Sequence, residues 1–246
     1  MEPVFRKEYK IDAIHLDCYG RTKPSVLLFF AQEVAGQHCT ELALDWDTLS
    51  GRRMFWAVIR NRVQISRLPV AGESITVETW PMPTTRTAYP RSTIAYDEQG
   101  SEVFRAISLW VLMDMDSRGM ILPGKSGVEV CGTLRGNELA APASIVPKVL
   151  KTQVHRRVSY TDLDRNGHMN NTRYLDWIDD LLPSGFHAGH PIREFTICYL
   201  SEAVEGQDLQ IHWELSEGSC LQVDALRQRT DVSEKQERVF SAQIHF

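Results

Sequence analysis

The chain has 246 residues, enough for one large domain or two small ones. With 43% hydrophobic and 24% charged residues, the composition is that of an ordinary globular protein; no apolar run reaches the ~18 residues of a membrane span, and the N-terminus has no apolar signal-peptide core. The net charge of −5 argues against a nucleic-acid partner, and five scattered cysteines without a C-x-x-C pair indicate reduced thiols in a cytoplasmic compartment.

The first half of the chain predicts a strand, a turn, a helix and then several strands. A strand-like run leads into a Leu-Asp-x-x-Gly turn at 16–20. In the following helix, Val26, Phe30 and Val34 recur every four residues, and Pro24 lies in the first turn, where proline is tolerated. Long alternating segments rich in β-branched and aromatic residues then predict strands at 54–67, 73–80, 87–97 and 102–114.

The second half follows the same plan. Residues 119–150 are rich in Gly, Pro and Ala without periodicity, and we interpret them as a linker. A helix is predicted from the spacing of Tyr174, Trp177, Ile178, Leu181 and Leu182; Asn170 or Asn171 can cap it, and Pro183 ends it. Strands are predicted at 152–160, 192–201, 207–215, 219–227 and 236–245.

The two halves form an internal repeat. Residues 15–30 align without gaps onto 162–177, so that Leu16, Asp17 and Gly20 fall on Leu163, Asp164 and Gly167. Residues 72–80 resemble 206–214, and 103–110 resemble 239–246, in the same order. We therefore expect an α+β fold of two antiparallel sheets, each wrapped around one long helix and joined edge to edge.

The stretch 162–173 has the start of a calcium loop. Asp162, Asp164, Asn166 and Gly167 match positions 1, 3, 5 and 6 of an EF-hand loop, whose twelfth position is a bidentate Glu. Here the twelfth residue is Arg173, and the preceding segment alternates like a strand where an EF-hand has a helix. We therefore expect no calcium site.

The same turn carries groups that suit catalysis. Asp164, Asn166 and His168 provide a carboxylate, an amide and an imidazole ahead of a helix, whose free N–H groups favour a developing negative charge. The alternative is that the Asp and Asn only shape the turn and that His168 is a surface residue. The first half has Tyr19 and Arg21 at the positions of Asn166 and His168. This difference favours a single active site, located in the second half of the repeat.

Residues 159–180 resemble the signature of the acyl-ACP thioesterases, Asp-x-Asn-x-His-x-Asn-Asn-x-x-Tyr. The matching residues are Asp164, Asn166, His168, Asn170, Asn171 and Tyr174. Residues 17–38, 55–81 and 104–123 resemble further segments of the family. The resemblance implies a double hotdog, with an N-terminal hotdog at 1–118 that holds the acyl chain, the linker at 119–150, and a C-terminal hotdog at 151–246 with the catalytic residues.

The resemblance also implies a mechanism. Glu202 falls on the family's catalytic Glu, and we expect it on the same strand as Cys198. Ala203 falls where plant members have Cys, so we expect an activated water and not a cysteine nucleophile. Glu202, with His168, would deprotonate the water, while Asn166 and a helix-terminal N–H would hold the thioester oxygen. Asp164 would orient the site or attack directly. No metal or organic cofactor is required, and the histidines of His187-Ala-Gly-His190 belong to a loop in this interpretation.

The implied substrate is a fatty acyl chain on acyl carrier protein. We expect Asn170, Asn171, Trp56 and Phe30 to contact the substrate, and Phe29 to help line an apolar tunnel. Because the carrier is acidic, docking requires a basic patch, and there are two candidate sets: Lys148, Lys151, Arg156 and Arg157, or Arg52, Arg53, Arg60 and Arg62. Alternatives are an acyl-CoA thioesterase, a hotdog dehydratase and a non-enzymatic acyl-thioester sensor. We expect no nucleic acid partner and no membrane span. The sequence leaves open whether the protein forms a homodimer.

Overall fold

The chain divides into two units in the computed structural model, which describes residues 4–216, 219–228 and 236–246. Unit 1 ends at Pro142 and unit 2 begins at Ala143. Unit 1 contains β1 (Phe5–Lys10), α1 (Pro24–Glu41), α2 (Trp46–Ser50), β2 (Met54–Ile65), β3 (Ser74–Pro81), β4 (Tyr89–Asp97), β5 (Glu102–Asp114), β6 (Met120–Ile121) and α3 (Pro123–Ser126). Unit 2 contains β7 (Thr152–Arg157), α4 (Arg173–Asp179), α5 (Ser184–Gly189), β8 (Glu194–Tyr199), β9 (Asp208–Ser216), β10 (Cys220–Gln228) and β11 (Gln236–His245).

The sheet of unit 1 is antiparallel, in the order β1-β3-β4-β5-β2, with β6 beside β5. The helix α1 packs against β1 and β3 and buries its apolar face, including Leu27, Phe30 and Val34. Phe30 stacks on Tyr9, with ring centroids 4.2 Å apart. Phe29 is 48% exposed, so its predicted place in an apolar lining is wrong: it lies on the opposite side of the helix from the buried positions.

The sheet of unit 2 is also antiparallel, in the order β8-β11-β10-β9-β7. The ring of Tyr174 on α4 packs edge-on against Tyr199 of β8 and Phe240 of β11. Hence the predicted α+β fold, with a helix on each antiparallel sheet, is confirmed. The expectation of a long second helix is wrong, because α4 spans seven residues.

The second helix stops early for local reasons. The N–H groups of Leu181 and Leu182 donate to the carbonyls three residues back, so the chain tightens after Asp179. Pro183 then precedes the separate short helix α5. The apolar spacing that predicted one helix through Leu182 is real, since Leu182 is 8% exposed, but a tightened turn can bury the same side chains.

The internal repeat is visible as two copies of one turn. The N–H of Asp17 donates to the carbonyl of Arg21 at 2.7 Å, and the N–H of Asp164 donates to that of His168 at 2.8 Å. Gly20 and Gly167 both have a φ of 75°, a conformation that favours glycine. Each copy follows a short 3₁₀ helix, at Ala13–His15 and Tyr160–Asp162.

The segment interpreted as a linker is partly folded onto unit 1. It contains β6 and α3, and further along the Asn137 carbonyl accepts a hydrogen bond from Arg105 at 3.1 Å. Trp80 Nε1 donates to Glu138 Oε1 at 3.2 Å. The domain boundaries at 118 and 150 stay predictions. Within the described part of the chain, no helix has the length and apolar character needed to cross a membrane.

Candidate active site

Asp164 organises the turn between Leu163 and Met169. Its Oδ1 accepts the N–H of Asn166 at 2.7 Å and that of His168 at 3.4 Å, while its carbonyl accepts the N–H of Gly167 at 3.0 Å. Such side-chain-to-backbone bonds are the usual role of Asp in a turn. The N–H groups of Asn166, Gly167 and His168 are therefore engaged within the turn.

The Asn166 amide is held beside Asp164. Its Nδ2 lies 3.4 Å from Asp164 Oδ2, and its Oδ1 is buried without a hydrogen-bond partner among the described residues. An amide nitrogen carries two hydrogens, so one donor remains after the contact with Asp164. A buried orphan polar atom costs free energy and is unusual away from functional sites.

His168 and Glu202 are in contact. His168 Nε2 lies 3.3 Å from Glu202 Oε2, with the imidazole 14% exposed and the carboxylate side chain 39% exposed. The chain brings them together through a bridge between His168 and Val204 and through the N–H of Met169, which donates to the Ala203 carbonyl at 2.8 Å. An imidazole and a partly exposed carboxylate at this distance can share a proton and hold a water.

Glu202 lies in a loop, so our expectation that it shares a strand with Cys198 is wrong. The strand β8 ends at Tyr199. The N–H groups of Leu200 and Ser201 both donate to the Val239 carbonyl, at 2.8 and 3.1 Å, which interrupts the regular ladder. Cys198 stays inside β8 and is 2% exposed.

The N-cap of α4 is Thr172, so the prediction that Asn170 or Asn171 caps the helix is wrong; Asn170 stabilises the turn just before it. Its Oδ1 accepts from the N–H and the hydroxyl of Thr172, both at 2.9 Å, and its carbonyl accepts the N–H of Arg173 at 2.9 Å. Asn171 accepts a hydrogen bond from the Tyr199 hydroxyl at 3.0 Å through its carbonyl. The N–H groups of Thr172 and Arg173 are engaged in these bonds, and the helix-terminal N–H donor for the thioester oxygen stays a prediction. Substrate contact by Asn170 and Asn171 stays a prediction.

Tyr174, the last residue of the signature, is buried beneath the site. Burial raises its pKa, the positive charge of Arg227 opposes the rise, and the negative charges of Asp164 and Glu202 add to it. The phenol therefore stays protonated at neutral pH.

The other predicted substrate residues, Trp56 and Phe30, lie in unit 1. Trp56 Nε1 donates to the Leu44 carbonyl at 2.9 Å, and the indole packs edge-on against Tyr89. Phe30 is 2% exposed. Both side chains help to pack unit 1, and their contact with an acyl chain stays a prediction.

The assignment of His187-Ala-Gly-His190 to a loop is wrong, because His187 lies in the helix α5 and His190 directly follows it. His187 Nε2 is 2.9 Å from the Asp179 carbonyl, and His190 Nδ1 is 2.9 Å from the Phe186 carbonyl. The His190 ring also stacks on Phe186. Across residues 4–216, 219–228 and 236–246, no cluster of three or more His, Cys, Asp or Glu side chains has an arrangement that could hold a metal ion.

We expect a calorimetric titration with calcium to show no specific site. Asp162 Oδ2 accepts the N–H of Ser159 at 2.9 Å, so both Asp side chains of the loop already serve the backbone. Arg173 donates to Asp176 and to the Thr161 carbonyl, and it occupies the position where the loop needs its strongest anion. A single micromolar site would contradict the catalytic interpretation of residues 162–173.

The turn in unit 1 lacks the reactive groups. Arg21 forms an ion pair with Asp17, with Nη2 3.0 Å from Oδ2. The N–H of Thr22 donates to the Pro69 carbonyl as that of Met169 does to Ala203, so Leu68 stands where unit 2 has Glu202. This copy therefore keeps the shape of the turn, including its Asp, without a counterpart of the Glu202 carboxylate or the His168 imidazole.

Arg227, on β10, contacts the loop of Glu202 and was not predicted from the sequence. Its Nη1 lies 2.5 Å from the carbonyl of Glu202, and its Nη2 lies 2.7 Å from Ser201 Oγ. These contacts join residues about 25 positions apart, so no local pattern reveals them. The similarity of 72–80 to 206–214 was the one available signal that both halves build this region alike.

Comparison with known proteins identifies the family. The model of the acyl-ACP thioesterase N-terminal domain matches residues 2–122, and that of the C-terminal domain matches residues 148–245. A dodecanoyl-[acyl-carrier-protein] hydrolase from Cinnamomum camphora is 26% identical over 234 residues, which cover 88% of this chain and 60% of the relative. A palmitoyl-acyl carrier protein thioesterase from Gossypium hirsutum is 25% identical over 225 residues, covering 84% and 54%. The chain thus spans less than two thirds of the length of these curated relatives.

Solved structures show the same fold. An acyl-ACP thioesterase from Bacteroides thetaiotaomicron superposes with a TM-score of 0.83 at 24% identity, covering 99% of this chain and 98% of the other. The 12:0-ACP thioesterase from Umbellularia californica gives a TM-score of 0.82 at 21% identity, covering 100% and 97%. With both domain models matched in order along its length, the chain belongs to the acyl-ACP thioesterase family.

Proposed function

We propose that the protein hydrolyses the thioester of fatty acyl-ACP to a free fatty acid and holo-ACP, using a water activated by a general base. Family membership supports the reaction class. The observation that carries the mechanism is the 3.3 Å contact between Glu202 and His168, which lies on the same turn as the Asn166 amide. A base within hydrogen-bond reach of a water and an amide donor for the developing oxyanion are what thioester hydrolysis requires.

In the proposed reaction, water attacks the thioester carbonyl carbon as its proton passes to Glu202. The carbonyl oxygen becomes an oxyanion, which the remaining Nδ2 hydrogen of Asn166 stabilises. When the carbon–sulfur bond breaks, the proton held between Glu202 and His168 passes to the leaving thiolate. His168 holds the carboxylate in place through its Nε2.

Asp164 acts as an orienting group in this proposal. Its Oδ1 is engaged by two backbone N–H groups and its Oδ2 by the Asn166 amide, so the carboxylate is fixed within the turn. Direct attack by Asp164 would break these contacts. Attack by a thiol has no support at this site, since Ala203 stands at the family's cysteine position and Cys198 is buried in β8.

The docking surface for the carrier is proposed on unit 2, at Lys148, Lys151 and Arg157, all of which are exposed. Lys151 forms an ion pair with Glu214 at 3.1 Å, but its side chain is 82% exposed and stays accessible to a partner. Arg156 is assigned a structural role and not a docking role, because it forms an ion pair with Asp180 at 2.7 Å and lies over the Trp177 ring. In the other candidate set, Arg52 donates to the Ser126 carbonyl, and Arg53 forms an ion pair with Asp116. The Arg60 side chain donates to the Pro142 carbonyl. Those contacts favour a structural role for these three arginines.

We expect the triple variant Lys148→Glu, Lys151→Glu and Arg157→Glu to raise KM for acyl-ACP far more than KM for acyl-CoA. Charge reversal at the rim of a docking surface weakens association with an acidic protein partner. Acyl-CoA does not dock on that surface, so its KM should change little. The matched control reverses three exposed lysines of unit 1, Lys10, Lys23 and Lys125, for the same change in net charge. Equal effects on both carriers would rule out this surface.

The function itself is tested by measuring thiol release from acyl-ACP and acyl-CoA of graded chain length. We expect higher kcat/KM on acyl-ACP. Equal values on both carriers would favour an acyl-CoA thioesterase, and the absence of thiol release from every substrate would contradict the proposal. A cytoplasmic location is part of the proposal, and the five cysteines are free.

A further inference from the structure

Arg227 contacts the loop that carries Glu202 from several sides. Its Nη1 donates to the carbonyl of Glu202 at 2.5 Å and to Gln207 Oε1 at 2.8 Å, and its Nη2 donates to Ser201 Oγ at 2.7 Å. The guanidinium side chain is 18% exposed. One cation therefore bonds to both ends of the loop between β8 and β9.

Glu237 holds Arg227 in place. The two residues stand directly opposite each other in the β10–β11 ladder, and Glu237 Oε2 accepts from Nε at 3.0 Å and from Nη2 at 2.8 Å. A guanidinium presents five donors in a planar arrangement, so it can bind a carboxylate on one side and a loop on the other. Hydrogen bonds from a charged donor are stronger than those between neutral groups.

The Glu202 side chain depends on this loop for its position. It lies beyond the end of β8, outside the sheet ladder, and its carboxylate is partly exposed while contacting His168. Arg227 binds the backbone of Glu202 itself, leaving the Oε2–His168 contact intact. Fixing the backbone of an exposed general base limits how far its carboxylate can move from the imidazole.

Unit 1 has a comparable clamp that supports no chemistry. Arg67 donates to Glu73 at 2.6 Å and to Asp97 at 2.9 Å. Glu73 accepts the N–H of Val70 at 3.1 Å, as Gln207 accepts the N–H of Val204 at 3.2 Å. The loop so held carries Leu68 at the position of Glu202. Loss of this clamp therefore affects stability alone, which makes Arg67 a matched control.

We infer that Arg227 is a positioning residue for the general base: it fixes the loop backbone so that Glu202 stays within reach of His168 and of the attacking water. The inference rests on the proposed function for its kinetic meaning. Its structural content, a Glu202–His168 contact that depends on Arg227, does not rest on that function.

The kinetic test compares Arg227→Gln with Arg67→Gln on acyl-ACP. We expect Arg227→Gln to lower kcat about 10- to 100-fold with KM nearly unchanged, because a displacement of about 1 Å at a reacting group has an effect of this size. Arg227→Lys keeps the positive charge but loses the planar guanidinium and most of its donors, so its kcat should lie between those of Arg227→Gln and the wild type. Arg67→Gln should keep the wild-type kcat, although both Gln variants lower Tm.

A double variant separates positioning from a general loss of structure. In the Glu202→Gln background, Arg227→Gln should lower kcat little further, since residues that act through one group are not additive. A full additional loss would show that Arg227 acts elsewhere and would overturn the inference. So would a wild-type kcat in Arg227→Gln.

A spectroscopic test distinguishes failure of the inference from failure of the proposed function. The ring signals of His168 in ¹H–¹⁵N NMR spectra should change in Arg227→Gln as they do in Glu202→Gln, and should not change in Arg67→Gln. If the wild type releases no thiol but these signals behave as expected, the function fails and the positioning role stands. Unchanged His168 signals in Arg227→Lys and Arg227→Gln would overturn the role. If Arg227→Gln does not fold, Arg227→Lys provides both readouts.

Discussion

We expect replacement of Glu202 with alanine to lower kcat on acyl-ACP by about 10²–10⁴-fold while the protein stays folded. A positioned general base contributes a factor of this size to proton transfer. The side chain is 39% exposed and lies outside the β-ladder, so its removal leaves no cavity in the core. Steady-state kinetics measures the change in kcat, and a thermal melt shows whether the variant stays folded. His168→Ala should also lose most activity, because it removes the imidazole that contacts the carboxylate.

Glu202→Gln separates the possible roles of this residue. The amide keeps the shape and the hydrogen bonding but cannot take a proton at neutral pH. If Gln is as poor as Ala, the carboxylate is the base; if Gln restores near-wild-type activity, Glu202 is a positioning group, and His168 or Asp164 is the base. Cys198→Ala is the control, with most activity retained. Full activity in both Glu202 variants would refute the water mechanism.

We expect Asn166→Ala to lower kcat by about 10²–10³-fold with little change in KM. The loss of one oxyanion-hole donor has this magnitude, because the donor acts on charge that develops in the transition state. The Asn166 amide is oriented by Asp164, and the backbone N–H groups at 166–168 are engaged within the turn. The site therefore depends on this side-chain donor. The measurement is kcat and KM on acyl-ACP, with circular dichroism to verify the fold.

Asn166→Asp is the sharper variant, since it keeps the size of the side chain and removes the N–H donor. We expect it to be as poor as Asn166→Ala. The matched control is Tyr19→Ala, at the same position of the turn in unit 1, which should keep the wild-type kcat. If Asn166→Asp hydrolyses acyl-ACP at the wild-type rate, the oxyanion is stabilised by another group.

Much of the fold follows from the local pattern of residues. The strand predicted at 102–114 coincides with β5, since alternating β-branched and aromatic residues over such a length suit little else. The turn at Asp164 and Gly167 was equally predictable, because Asp and Gly shape a turn through their own backbone. The end of α4 was not, because apolar spacing continues through residues that form a tightened turn.

The site was predictable only in part, because some of its contacts join residues that are distant in the sequence. Asp164, Asn166 and His168 are neighbours in the sequence, whereas Glu202 was assigned through the family resemblance, and its loop position was missed. The contact of His168 with Glu202 requires the pairing of His168 with Val204, and the contact of Arg227 with the loop requires the register of β10 and β11. Such pairings depend on the whole sheet and leave no mark on a short window of sequence.

The two copies of the turn are under different selective constraints. At Asp17 and Arg21, an ion pair and a backbone turn are all that must be preserved, so any pair of residues that folds there is acceptable. At Asp164, Asn166 and His168, the same shape must also carry chemistry. A saturation library scored separately for abundance and for fatty-acid release should therefore give two different tolerance maps. The maps should coincide over residues 16–22 and diverge over 163–169, where many substitutions leave the amount of protein intact and abolish its product.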